Sequence, residues 1–132
     1  MTALIANVLA IAATALGLVD EHTQTRRPPP MRTALASWYE EHGTGACGVG
    51  DVQSGYRFAS LFLRCGTHVR FCHAGRCVTA TMSDHGPYIT GRTFDLNGPL
   101  KVALACPDLC WLQWRLWTPP PPRPPGARLV FW

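Results

Sequence analysis

A chain of 132 residues fits one domain of ordinary size. Its formal charge of +4 comes from the flanks: residues 36–117 hold seven Lys/Arg against six Asp/Glu, while Arg26, Arg27, Arg32, Arg123 and Arg128 outnumber Asp20 and Glu21 outside them. A scattered excess of this kind, with no Lys/Arg stripe interleaved with aromatics, excludes a nucleic-acid footprint and suits an anionic wall or membrane surface.

Residues 2–19 are apolar except for Thr2, Asn7 and Thr14, a run at the short end for a bilayer span of about 20 residues. It has the apolar region and the small-residue site (Ala13-Thr14-Ala15) of a signal peptide, but not the basic beginning. Export or anchoring is the first reading of residues 1–19; an apolar helix packed in a protein assembly is the alternative. Residues 20–35 form a linker, extended through Pro28-Pro29-Pro30.

From Ala36 to Trp117 the pattern is mostly strand. Leu35–Tyr39 opens it. Thr67–Phe71 alternates as a half-buried strand, and Arg76–Met82 pairs with it through a turn at His73-Ala74-Gly75. Asn97–Ala105 reads as a short helix capped by Asn97, with Pro99 in its first turn. Trp111–Trp117 alternates again, which predicts Leu112, Trp114 and Leu116 inward and Gln113 and Arg115 outward. Beyond it, 118–132 is a stiff Pro-rich spacer ending in apolar Ala127–Trp132. That end either docks on the barrel, a neighbouring chain or a membrane, or forms a disordered tail.

Six cysteines, Cys47, Cys65, Cys72, Cys77, Cys106 and Cys110, fall within this globular part. An even count in a small domain predicts a disulfide framework and an oxidising compartment, with about 15 pairings open. The hairpin favours Cys72 with Cys77, the short loop favours Cys106 with Cys110, and Cys47 and Cys65 are left for each other. Each bridge closes a short loop and stabilises by about 2–3 kcal/mol in the chain-entropy model. No Cys-x-x-Cys pair is present and the spacings are not those of a zinc ribbon or finger, so no metal site and no cofactor are expected.

The chemistry-bearing stretch is Ser83-Asp84-His85-Gly86-Pro87-Tyr88, followed by Gly91-Arg92-Thr93-Phe94-Asp95-Leu96-Asn97. Two strands that each carry an acid, separated by a Gly-Pro turn, aim Asp84 and Asp95 into one groove. Polysaccharide cleavage commonly uses such carboxylates, one of them as a general acid. The alternatives are turn chemistry for Asp84 and a helix-starting role for Asp95.

These runs, with Cys65–Phe71, Gly75–Met82, Ala36-Ser37-Trp38-Tyr39 and Thr44-Gly45-Ala46-Cys47-Gly48, resemble the rare lipoprotein A family. The resemblance covers residues 36–117 and implies an all-β fold, a six-stranded double-psi β-barrel with a short helix, related to expansins. It implies that Asp84 acts as acid/base on peptidoglycan glycan strands, and that Asp95 matches a position important in expansins. Trp38, Tyr39, His85 and Tyr88 are the candidate substrate-binding residues. The chain departs from the family in two places. The histidine of lytic members falls at or near Ser60, and Asp51–Arg57 offers Asp51 and Gln53 but no groove Glu, leaving Glu40, Glu41, His42 and His85 as substitutes.

Three readings follow. One is a peptidoglycan lytic transglycosylase, secreted or membrane-anchored facing the cell wall. Another is an expansin-like module that binds wall glycan without cutting it. The third is a structural component of a phage tail or virion, assembled through the apolar N-terminal helix and the C-terminal tail.

Overall fold

The computed structural model describes residues 27–120 and 122–126, so the apolar run at 1–19 and the end at 127–132 lie outside the described residues. Six strands form a closed barrel: β1 (Arg32–Tyr39), β2 (Arg57–Ala59), β3 (His68–His73), β4 (Arg76–Asp84), β5 (Phe94–Asn97) and β6 (Cys110–Leu116). Their order around it is β1-β5-β2-β4-β3-β6. The pairs β1·β5 and β2·β4 are parallel; the other four are antiparallel. This is the double-psi barrel expected from the sequence. Closure pairs every strand on both sides and leaves no open sheet edge. Among the described residues no helix is long and apolar enough to cross a membrane.

Alternation along the strands fills the interior. Phe58 of β2, Phe71 of β3 and Phe94 of β5 are fully buried and meet edge to face, with ring centroids 5.0, 5.1 and 5.5 Å apart. Burying each ring stabilises by about 1.5–3 kcal/mol. Val69, Met82, Leu96 and Leu112 complete the same layer.

The one α-helix among the described residues, α1 (Gly98–Ala103), starts as predicted. Asn97 caps it by accepting from Leu100 N at 3.0 Å, and a proline occupies the first turn. Asn97 is wholly buried and its amide also donates to the carbonyls of Val52 (3.0 Å) and Gly55 (2.8 Å), tying helix, β5 and the long loop after β1 together.

The hairpin between β3 and β4 is tighter than the turn read from the sequence. His73 still pairs with Arg76, so the connection is the two residues Ala74 and Gly75, both at positive φ (48° and 77°), as a two-residue hairpin loop requires. β1 begins at Arg32, ahead of Leu35, because Arg32, Thr33 and Ala34 pair with Trp114, Gln113 and Leu112. In β6, Leu112 is buried and Trp114 packs on the core, whereas Leu116 is exposed at the strand's last position. The disulfides are Cys47–Cys65, Cys72–Cys77 and Cys106–Cys110, the pairing read from the hairpin and the short loop.

Candidate active site

The site is built by register. Ser37 pairs with Asp95 across β1·β5, Asp95 with Ala59 across β5·β2, and Ala59 with Asp84 across β2·β4. Residues level with one another on neighbouring strands point to the same side, so Ser37, Asp95, Ala59 and Asp84 form one row on the outside of the barrel. Asp84 joins that row through a β-bulge. Phe58 pairs with Met82, but Ala59 pairs with Asp84, so Ser83 is the extra residue. Without the bulge Ser83 would stand opposite Ala59 and Asp84 would take the inward phase. Bulges commonly re-aim one side chain in this way.

The row opens into a groove of about 980 Å³. All six sequence-predicted residues line it: Trp38, Tyr39, Asp84, His85, Tyr88 and Asp95. The fold therefore brings together positions up to 57 apart in the chain. The wall after β4 contains the cis peptide Gly86–Pro87, and beyond it the Tyr88 ring is 79% exposed at the rim.

The two carboxyl groups have different surroundings. Asp84 Oδ1 accepts from Ala46 N at 2.7 Å and from its neighbour His85 N at 2.8 Å, while no described residue donates to Oδ2. Asp95 Oδ1 accepts from the Ser37 hydroxyl at 3.0 Å. Burial pushes the Asp95 carboxyl above its ordinary range, opposed by the Ser37 hydrogen bond and Arg92 and reinforced by Glu41 and Asp84. Tyr39 is pushed up as well, first by burial and then by Asp84 and Asp95, so its phenol stays neutral at the edge of a doubly acidic site. The Ser83 hydroxyl is near enough to temper that shift, yet neither buried hydroxyl reaches hydrogen-bond geometry with a partner.

Trp38 is committed elsewhere: its indole Nε1 donates to Asp108 at 2.9 Å, and Lys101 Nζ lies 4.7 Å from its ring centroid. Tyr88 is the most exposed aromatic ring lining the groove. Glu40, Glu41 and His42 line the groove too. Asp51 and Gln53 do not line it. Asp51 is held down to about 2 by the Gln53 N–H and then by His42, whose Nδ1 is 2.8 Å away. Gln53 is a strut: its amide donates to the carbonyls of Tyr39 and Glu41 and accepts from Gly98 N at 2.9 Å. Ser60 is wholly buried, its hydroxyl accepting from Phe62 N and Leu63 N at 3.2 Å, and it does not reach the groove.

Two contributors escaped the sequence reading. Gly45 is packed on Asp84 so closely that a Cβ there would lie 2.6 Å from Asp84 Cγ and 2.8 Å from Val52 Cγ1. Ala46 supplies the N–H to the same carboxyl. The glycine-rich stretch was visible, but its contact lies 38 residues away and depends on the fold. Away from the groove, a nitrogen of His73 and the sulfurs of Cys106 and Cys110 lie within 4.8 Å of one another. Those sulfurs are joined as a disulfide and His73 Nδ1 donates to the Leu104 carbonyl at 2.8 Å, so the trio offers no thiolate to a metal.

No family model matches the sequence, and no curated protein matches it. Solved structures do. The chain superimposes on the crystal structure of apo expansin from Clavibacter michiganensis with a TM-score of 0.59 at 17% identity, over 70% of this chain and 53% of that one. It therefore spans about half of the expansin's length. A Streptomyces papain inhibitor matches with a TM-score of 0.49 at 19% identity, over 70% of this chain and 98% of that one. The expansin match shows a shared fold.

Proposed function

We propose that the groove takes a strand of cell-wall glycan and that Asp84 and Asp95 cleave it in the manner of a peptidoglycan lytic transglycosylase. The observation that carries this reading is the row Ser37–Asp95–Ala59–Asp84, which turns two carboxyl groups of unlike surroundings into one open groove. Environments that differ in this way separate acid from base.

Asp95, whose protonated form burial favours, gives its proton to the glycosidic oxygen as the C1–O bond breaks. Asp84 takes the proton of the C6 hydroxyl as that oxygen bonds to C1, closing a 1,6-anhydro ring. No water is consumed, and a proton passed back from Asp84 to Asp95 restores the start. Tyr88 offers its exposed ring to a sugar ring, His85 lines the wall beside Asp84, and Tyr39 keeps a neutral hydroxyl near both acids. Trp38 lines the groove with its indole held by Asp108 and Lys101. Three disulfides suit an extracellular setting.

A second reading, an expansin-like grip on wall glycan without cleavage, is favoured by Ser60: where the family's lytic histidine is expected, this chain has a buried turn residue. The virion reading rests on segments outside the described residues. Incubating the full chain with insoluble, peptide-stripped glycan separates the first two. Cleavage releases soluble fragments with 1,6-anhydro ends, gripping retains the protein without new ends, and a folded chain that does neither sinks both.

A further inference from the structure

The last residues of β4 are held from both sides by one disulfide. On the Cys47 side, Ala46 N–H donates to Asp84 Oδ1 at 2.7 Å, Gly45 packs on the same carboxyl, and Cys47 N–H donates to the Ser83 carbonyl at 3.3 Å. On the Cys65 side, Gly66 N–H donates to the Met82 carbonyl and Met82 N–H to the Thr67 carbonyl, both at 2.9 Å. The Cys47–Cys65 bond closes this bracket around Met82-Ser83-Asp84, the segment that contains the bulge. Neither cysteine belongs to a strand, so the barrel ladders do not run through the bond. Cys65 is exposed, as is Cys77 in the β3–β4 hairpin, whereas Cys106 and Cys110 are buried; of the two accessible bonds, the one at Cys65 is the one that brackets Asp84.

We propose that Cys47–Cys65 is a thiol-sensitive positioning device for Asp84, which rests on the reading of Asp84 as a working group of the groove. The co-reactant is a dithiol reductant. Its thiolate attacks the sulfur of Cys65 and displaces Cys47 as a thiolate, leaving a mixed disulfide. The second thiol of the reductant then displaces Cys65, and the reductant leaves as its own cyclic disulfide. Two electrons have passed to the cysteines, and both end as thiols once protonated. With the tether open, the loop 43–47 is held at β4 by hydrogen bonds near the surface and by the packing of Gly45 and Cys47, with no covalent link, toward the low-stability end of the structure. Ala46 N–H then leaves Oδ1, and the Asp84 carboxyl swings while the six ladders persist. A misplacement of about 1 Å at a reacting group costs on the order of a hundredfold in rate.

The test compares the full chain with two double variants, Cys47→Ser/Cys65→Ser and, as control, Cys72→Ser/Cys77→Ser. Ala46 amide exchange and the Asp84 carboxyl carbon resonance are followed by NMR beside the rate of anhydro-end formation. In the first variant Ala46 exchange is expected to speed up more than about tenfold, the Asp84 carboxyl resonance to shift, and turnover to fall on the order of a hundredfold, with the circular dichroism of the barrel retained. The control keeps wild-type Ala46 exchange and the wild-type Asp84 resonance. Unchanged Ala46 exchange and an unchanged Asp84 resonance in folded Cys47→Ser/Cys65→Ser protein overturn the proposal. Should that variant not fold, wild-type protein titrated with dithiothreitol, with opening of Cys47–Cys65 followed by mass, gives the same two readouts. Those readouts need no glycan. A chain inert toward glycan that still shows both changes keeps the positioning role and sinks the cleavage reading instead.

Discussion

Asp84 and Asp95 stand level with each other on either side of Ala59, one on each strand that flanks β2. Two strand spacings of about 4.8 Å put their Cα atoms about 9–10 Å apart. The intervening residue is alanine, so nothing bulky separates the two carboxyl groups. Gly86 passes over that alanine, a Cβ on it lying 3.8 Å from the Ala59 methyl. Ala59→Leu therefore forces a branched side chain against the Gly86 turn. It is expected to destabilise the fold by about 1–3 kcal/mol, read by urea unfolding, and to abolish glycan retention.

Gly45→Ala tests the packing behind Asp84. The added methyl meets Asp84 Cγ at 2.6 Å and Val52 Cγ1 at 2.8 Å, so one of them moves. The expected result is a loss of about 1–3 kcal/mol together with a displaced Asp84 carbonyl resonance. A silent Gly45→Ala in both measurements contradicts this packing.

Asp95 sets a pH dependence with a definite sign. Its folded-state range is raised by burial above that of the unfolded chain. Its stabilising contribution is therefore fully present below the unfolded value, and it is lost as pH rises through the folded one. Asp95→Asn should melt above wild type at pH 7, and the gap should close as pH falls toward 3. A gap that stays constant or widens on acidification contradicts the burial argument. Ser37→Ala removes the opposing hydrogen bond and moves the falling limb of the activity profile to higher pH.

Asn97→Ala removes the helix cap and both carbonyl contacts of a buried amide. At about 1 kcal/mol for each of these hydrogen bonds, the cost is about 3 kcal/mol, measured by denaturant unfolding. Tyr88→Ala, at the exposed rim, changes stability by less than about 0.5 kcal/mol and weakens glycan binding about fivefold to tenfold, the worth of one aromatic face.

The barrel was legible because its signals are local or motif-borne. The Asn97 cap with Pro99, the alternation of Thr67–Phe71 and the cysteine spacings in the hairpin and short loop each carry their own physics. Asp84 and Asp95 were legible as residues. Their meeting at Ala59 was not, since it depends on a parallel pair, an antiparallel pair and one bulged residue, Ser83, none of which leaves a periodic trace. Leu116 misled for a related reason: alternation gives the phase of a side chain but not where the core ends. Trp38 was legible as a groove residue, whereas its contacts with Asp108 and with Lys101, from a helix 60-odd positions on, were not. Tertiary packing decided each of these.

The most direct test of the central claim is the rate at which the full, disulfide-bonded chain forms 1,6-anhydro-muramoyl ends on peptide-stripped glycan, followed by mass spectrometry in wild type, Asp84→Asn and Asp95→Asn. The account predicts ends from wild type and a fall on the order of a hundredfold or more in each variant, with both variants folded. Ends formed equally fast by either variant, or none at all from folded wild type, would contradict it.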